Sequence, residues 1–141
     1  MNIAFFIIPK SSVACLTDTF TVRQALEKLK YHGYTAIPVI TKENKYVGTV
    51  SEGDFLWYLY GDCSTTKDMT PMEHMENTHL RDVMNLDKNP PVQITANMEQ
   101  LVDRAMNQNF VPVVDDVGSF VGIITRKDII RHYAEKASKD K

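Results

Sequence analysis

The sequence predicts an α+β fold of two β-α-β-β-α repeats, packed sheet to sheet about a pseudo-two-fold axis. Three observations carry this. Residues 38–54 align with residues 112–128 at a constant shift of 74 and no gap, placing Pro38 on Pro112, Val39 on Val113, Val47 on Val121, Gly48 on Gly122 and Asp54 on Asp128. An ungapped match across a hairpin and a helix start indicates internal duplication. Ahead of each copy, apolar residues recur at helical spacing: Val22, Ala25, Leu26 and Leu29, then Met98, Leu101, Val102, Ala105 and Met106. Finally, about 50 residues give little core, and a three-stranded sheet with helices on one side leaves its other face apolar; facing sheets cover both.

In the first half, residues 13–17 read as a short strand. Thr21 and Gln24 form a capping box for the first helix, which His32-Gly33 stops. Ala36–Ile40 and Tyr46–Val50 are β-branched strands joined by the polar turn Thr41-Lys42-Glu43-Asn44. A closing helix over 55–60 ends at Gly61. The second half repeats the order: a strand over 91–95, a helix capped by Asn97, strands Phe110–Val114 and Phe120–Ile124 around the turn Asp115-Asp116-Val117-Gly118, and a helix over 129–134. The first helices align at a shift of 76, so the second copy is two residues shorter before its middle strand. Its Asn107-Gln108-Asn109 is accordingly briefer than Tyr31-His32-Gly33-Tyr34-Thr35.

The apolar segment 3–8 leads into the first half as an edge strand or packing segment, and 80–84 leads into the second. Residues 61–79 connect the halves. Within them Thr70, Pro71 and Glu73 start a short helix whose Met72 and Met75 pack on the core. The spacing of His74 and His79 does not suit a tetrahedral metal site. The division is thus repeat 1 over 1–60, linker over 61–79, repeat 2 over 80–134, and a polar tail over 135–141 that frays.

Composition bounds the function. The 141 residues are 43% hydrophobic and 24% charged, ordinary for a globular protein. A net charge of −2 offers no basic footprint for nucleic acid. No apolar run approaches the ~20 residues of a membrane span, and the N-terminus lacks the basic start and cleavage site of a signal peptide. Cys15 and Cys63 form neither a disulfide framework nor a metal spacing. Cys15 falls in a strand expected to be buried, where a thiol is inert. The expectation is a reduced, cytoplasmic protein.

The duplicated motif ends in Ser51-x-x-Asp54 and Thr125-x-x-Asp128. On one reading each is a helix cap, worth ~1 kcal/mol. On the other, a helix N-terminus favours an anion, Arg126 and Lys127 add donors suited to phosphate, and Asp128 suits the vicinal hydroxyls of a ribose. Anion and diol binders side by side describe a nucleotide.

Halves carrying Gly-h-h-[Ser/Thr]-x-x-Asp, where h is apolar, resemble a tandem pair of CBS domains, the regulatory repeat named after cystathionine β-synthase, over about residues 3–134. The resemblance implies an adenine nucleotide as regulatory ligand, held in clefts between repeats, no required cofactor or metal, no catalytic residue, and disc-shaped homodimers. It assigns Thr125 and Asp128 to ribose in one cleft, with Tyr34, Thr35, Ala36 and Pro38 forming the adenine slot and Ser12 and Ala14 the opposite wall. In the second cleft it assigns Ser51 and Asp54 to ribose and Asn109, Phe110, Val111 and Pro112 to the slot, with the opposite wall at about Pro90-Pro91. The first cleft gains Arg126 and Lys127 for phosphate. The second has Glu52 and Gly53 there, a disadvantage of about 1–4 kcal/mol beside a phosphate, and is expected to be weak, empty or filled by an uncharged adenosine-like ligand. Gly33–Pro38 with Thr125-Arg126-Lys127 also resembles the stand-alone bacterial CBS proteins that bind cyclic di-AMP. Ser12 stands where a lysine is expected, leaving AMP, ADP, ATP and cyclic di-AMP open.

No Ser-His-Asp grouping, phosphate-binding glycine loop or two-metal carboxylate cluster points to an enzyme. The rival is a structural dimerisation module without nucleotide. With no effector domain attached, the signal is expected to leave through an unidentified partner protein, and Phe55-Leu56-Trp57-Tyr58 is expected to form the dimer face.

Overall fold

The computed structural model describes residues 2–63 and 69–139. The chain divides into two compact units: a central unit, Ala14–Lys88, and a terminal unit joining the segment up to Val13 to the chain from Asn89 onward.

The chain begins in the terminal unit. A 3₁₀ turn at Ile3–Phe6 precedes strand β1 (Ile8–Pro9). Ile3 is fully buried with Leu101, Val111, Val113 and Ile124, and Phe6 and Ile7 pack on the same cluster. The segment expected to lead into the first half therefore fills the core of the second repeat's unit, and β1 is the edge strand of its sheet.

The central unit holds β2 (Leu16–Thr17), α1 (Val22–His32), β3 (Ala36–Ile40), β4 (Tyr46–Ser51), α2 (Glu52–Tyr58) and α3 (Pro71–Glu76), with sheet order β2-β3-β4. Thr21 and Gln24 cap α1 reciprocally, and Gly33 closes it at φ 69°, a backbone angle that favours glycine. The first strand is two residues long rather than five, and Cys15, just before it, is half-buried. α2 starts at Glu52 and runs into a π-turn over Leu59–Cys63, so Gly61 does not stop it. Thr70 caps α3 with Pro71 in its first turn. Met75 packs on the core while Met72 is exposed, a correction to the expectation for both. The rest of that linker reading, residues 64–68, lies outside the described residues.

Residues 78–84 belong to the central unit. The Val22 amide donates to the Thr78 carbonyl at 2.8 Å and the Leu80 amide to the Phe20 carbonyl at 2.8 Å. Leu80 and Met84 are buried with Leu16, Val39 and Phe55. His74 is engaged through Nδ1 by the buried Tyr58 hydroxyl. Among the described residues no His, Cys, Asp or Glu cluster fits a metal.

The terminal unit continues with β5 (Val92–Gln93), α4 (Met98–Ala105), β6 (Phe110–Val114), β7 (Phe120–Thr125) and α5 (Arg126–Lys139), in sheet order β1-β7-β6-β5. α5 carries the expected polar tail on as helix to Lys139. The hairpins share one register: Pro38 faces Thr49 and Pro112 faces Ile123, with irregularities after Val39 and Val113. A proline in a middle strand is tolerated because β2 and β5 pair only from Val39 and Val113 onward, so the missing N–H removes no ladder bond on that side.

Candidate functional site

In both units the start of the middle strand is tied to the helix that follows its hairpin. The Glu52 amide donates to the Thr35 carbonyl at 3.0 Å, and the Arg126 amide to the Asn109 carbonyl at 2.9 Å. These ties are equivalent at the 74-residue shift. They bring each slot segment to the hydroxyl-x-x-Asp turn of its own unit.

In the terminal unit the Thr125 hydroxyl accepts from the Asp128 amide at 3.2 Å and so caps α5. The Asp128 carboxylate meets Arg131 at 3.9 Å and keeps 32% of its side chain exposed. Lys127 is exposed. Arg126 departs from its expected role: its Nε donates to the Ala105 carbonyl at 2.8 Å. There a cation suits the negative end of the α4 dipole. Ser12 is exposed at the end of a 3₁₀ turn, Lys10–Ser12. Phe110, Val111 and Pro112 bury their side chains, whereas Asn109 is exposed. What Phe110–Pro112 offer a ligand is backbone.

In the central unit Tyr34 is exposed and its ring stacks on His32, 5.3 Å between centroids and 10° between planes. Thr35 is exposed, Ala36 and Ala14 are half-buried, and Pro38 is buried. Asp54 sits differently from Asp128. Its Oδ2 accepts from the Ser51 amide at 2.8 Å and the Ser51 hydroxyl at 3.2 Å. Lys88 lies 3.6 Å from the same oxygen and also donates to the Ser51 hydroxyl. The Asp54 side chain is 13% exposed. A cavity of about 260 Å³ opens beside it, lined by Trp57, Tyr58, Asp82, Val83, Met84 and Asn85.

Lys88 is the residue that reading the sequence missed. The signal was present: the shift of 76 that aligns the first helices places Lys88 on Ser12. The leaders share more than this. A Cβ on Gly122 would overlap the Ile8 carbonyl oxygen, and one on Gly48 would meet the Met84 Cε at 3.1 Å. Each hairpin glycine is therefore covered by the leader of its own unit.

Among the described residues no helix is long and apolar enough to cross a membrane. The chain is 33% identical over 126 residues to the A-adding tRNA nucleotidyltransferase of Aquifex aeolicus, covering 88% of this chain and 14% of the enzyme. It is 30% identical over 144 residues to the chloroplastic CBS domain-containing protein CBSX1 of Arabidopsis thaliana, covering 89% of this chain and 61% of that protein. It thus spans less than two thirds of either relative. Among solved structures, CbpB in complex with c-di-AMP superposes with a TM-score of 0.85 at 30% identity, covering 99% of this chain and 88% of that one. Residues 7–61 and 79–135 each match the CBS domain, and the chain belongs to the CBS domain family as a tandem pair.

Proposed function

We propose that this CBS pair is a non-catalytic, cytoplasmic regulatory module that binds an adenine nucleotide and signals through a partner protein. The observation that carries it is the start of α5: an Asp128 carboxylate with a long contact to Arg131, beside exposed Lys127, while the Thr125 hydroxyl accepts from the Asp128 amide. This supports ribose and phosphate recognition by Thr125, Lys127 and Asp128, with Ser12 alongside. Arg126 joins them on leaving the Ala105 carbonyl. Tyr34, Thr35, Ala36, Pro38 and Ala14 are assigned to the purine. The likeness to a CbpB bound to c-di-AMP favours cyclic di-AMP among the candidates. Ser51, Asp54 and Asn109–Pro112 are assigned to the weaker second site.

Calorimetry with AMP, ATP and cyclic di-AMP tests this. A sensor titrates with at least one and loses that binding in Asp128→Ala. A purely structural module, which the capping role of Thr125 also fits, titrates with none.

Homodimerisation belongs to the same proposal, with a corrected face. Phe55 and Tyr58 are buried in the core, whereas Leu56, Trp57 and Tyr60 are exposed, Trp57 by 73%. We assign the dimer contact to these three. A monomer at micromolar concentration, or a Trp57→Ala variant that stays fully dimeric, refutes it.

A further inference from the structure

We infer that Lys88 is a latch on the first-repeat site: it holds the Asp54 carboxylate and Ser51 hydroxyl in an internal pair that a ribose must displace. This rests on the nucleotide reading above and concerns the copy of the motif that reading leaves weak.

A carboxylate oxygen offers about two lone-pair sites. Oδ2 of Asp54 already accepts from the Ser51 amide and hydroxyl and faces the Lys88 ammonium at 3.6 Å. The same ammonium donates to the Ser51 hydroxyl. One side chain thus stands against one oxygen of the carboxylate and donates to the hydroxyl that the motif would present to a vicinal diol. The amide bond is compatible with a bound diol, because it fixes the backbone turn. The lysine contacts compete with it, because the ammonium stands against Oδ2 and takes up the Ser51 hydroxyl.

The latch can open. The Lys88 side chain is 36% exposed, on a flexible four-carbon stem. Among the described residues the terminal unit shows no counterpart: Ser12, equivalent at the 76-residue shift, is too short and carries no charge. Lys88 is therefore the residue that makes two copies of one motif unequal toward a ribose.

The test uses the full chain carrying Asp128→Ala, which weakens the other copy, and adenosine as a probe without phosphate. Adding Lys88→Met should tighten adenosine binding about fivefold, the equivalent of ~1 kcal/mol for a partly exposed ion pair. The affinity for 2′,3′-dideoxyadenosine should not change, and Lys88→Arg should stay with the parent. Unchanged or weaker adenosine binding in Lys88→Met overturns the latch, as does an equal gain for the dideoxy probe. The nucleotide reading is checked separately by AMP titration of the chain with Asp128 intact. If AMP binds there and Lys88→Met brings no gain, only the latch falls. If no variant binds either probe, both fall.

Discussion

The starts of α2 and α5 are two copies of one sentence with opposite endings. Ser51-x-x-Asp54 closes on itself: the carboxylate bonds back to Ser51 and is covered by Lys88. Thr125-x-x-Asp128 stays open, with the hydroxyl capping the helix and the carboxylate 32% exposed. Both share the tie from the helix's first amide to the start of the middle strand. The two differ within the turn, Glu52-Gly53 against Arg126-Lys127, and in the leader, Lys88 against Ser12. Duplication fixes the geometry of such a turn, and the leader beside it decides how its carboxylate is engaged.

The leaders themselves give the largest expected effect. Gly122→Ala drives a methyl into the Ile8 backbone, which cannot yield without detaching β1. We expect a loss of about 3 kcal/mol in denaturant unfolding. Gly48→Ala comes close to the far end of the Met84 side chain, with the Leu86 backbone at an ordinary 3.8 Å, and should cost under ~1 kcal/mol. Equal losses in the two variants would show that the leaders are not held differently.

Next come the two aspartates. Asp128→Ala should lower nucleotide affinity by ~2 kcal/mol, roughly thirtyfold, with little change in stability, because the Thr125 hydroxyl still caps α5. Asp54→Ala should reverse the pattern. It removes the acceptor for the Ser51 amide and strands Lys88, at a cost of ~1–2 kcal/mol. Paired calorimetry and thermal unfolding of both variants separates the two, and a similar profile for both would erase the distinction between an open and a closed turn.

The sequence announces these elements unevenly, for physical reasons. Capped helices were legible because the signal is local: Thr21 with Gln24, and Asn97, each mark a start, and apolar spacing fixes the face; the structure adds Gln100 as the reciprocal partner of Asn97. The hairpins were legible because the repeat doubles the evidence for each. The destination of the leaders was not. Ile3, Leu80 and Met84 are apolar residues in short segments without periodicity, and only tertiary contacts decide which core they fill. At the site, residue types were readable but side-chain directions were not. Arg126 promised a phosphate contact and bonds to the end of α4, a preference visible only once α4 lies beside it. Lys88 lay hidden because the two copies differ in length by two residues, so the shift that aligns the hairpins misses it.

A last contrast lies inside the hairpins. In the central unit the Tyr46 hydroxyl bonds the fully buried Thr49 hydroxyl at 2.8 Å, where the terminal unit has Phe120 and Ile123 at the equivalent positions. Burial pushes the Tyr46 hydroxyl well above the usual tyrosine value, and the Thr49 bond pulls it back in part. The folded state then holds this proton more tightly than the unfolded chain. Its contribution to stability is full below about pH 10 and declines as pH rises above that, by up to ~1.4 kcal/mol per pH unit. Tyr46→Phe should cost ~1 kcal/mol at neutral pH, because Thr49 loses this buried partner. It should also remove that share of the alkaline decline. Adding Thr49→Val deletes the second hydroxyl of the pair and should restore part of the loss, since no buried Thr49 hydroxyl is then left to lose its bond. Urea unfolding at pH 7 and pH 11 reads both effects. If the double variant is weaker than Tyr46→Phe alone, the hydroxyl pair matters for more than its mutual bond, and the apolar pair of the terminal unit is not its equivalent.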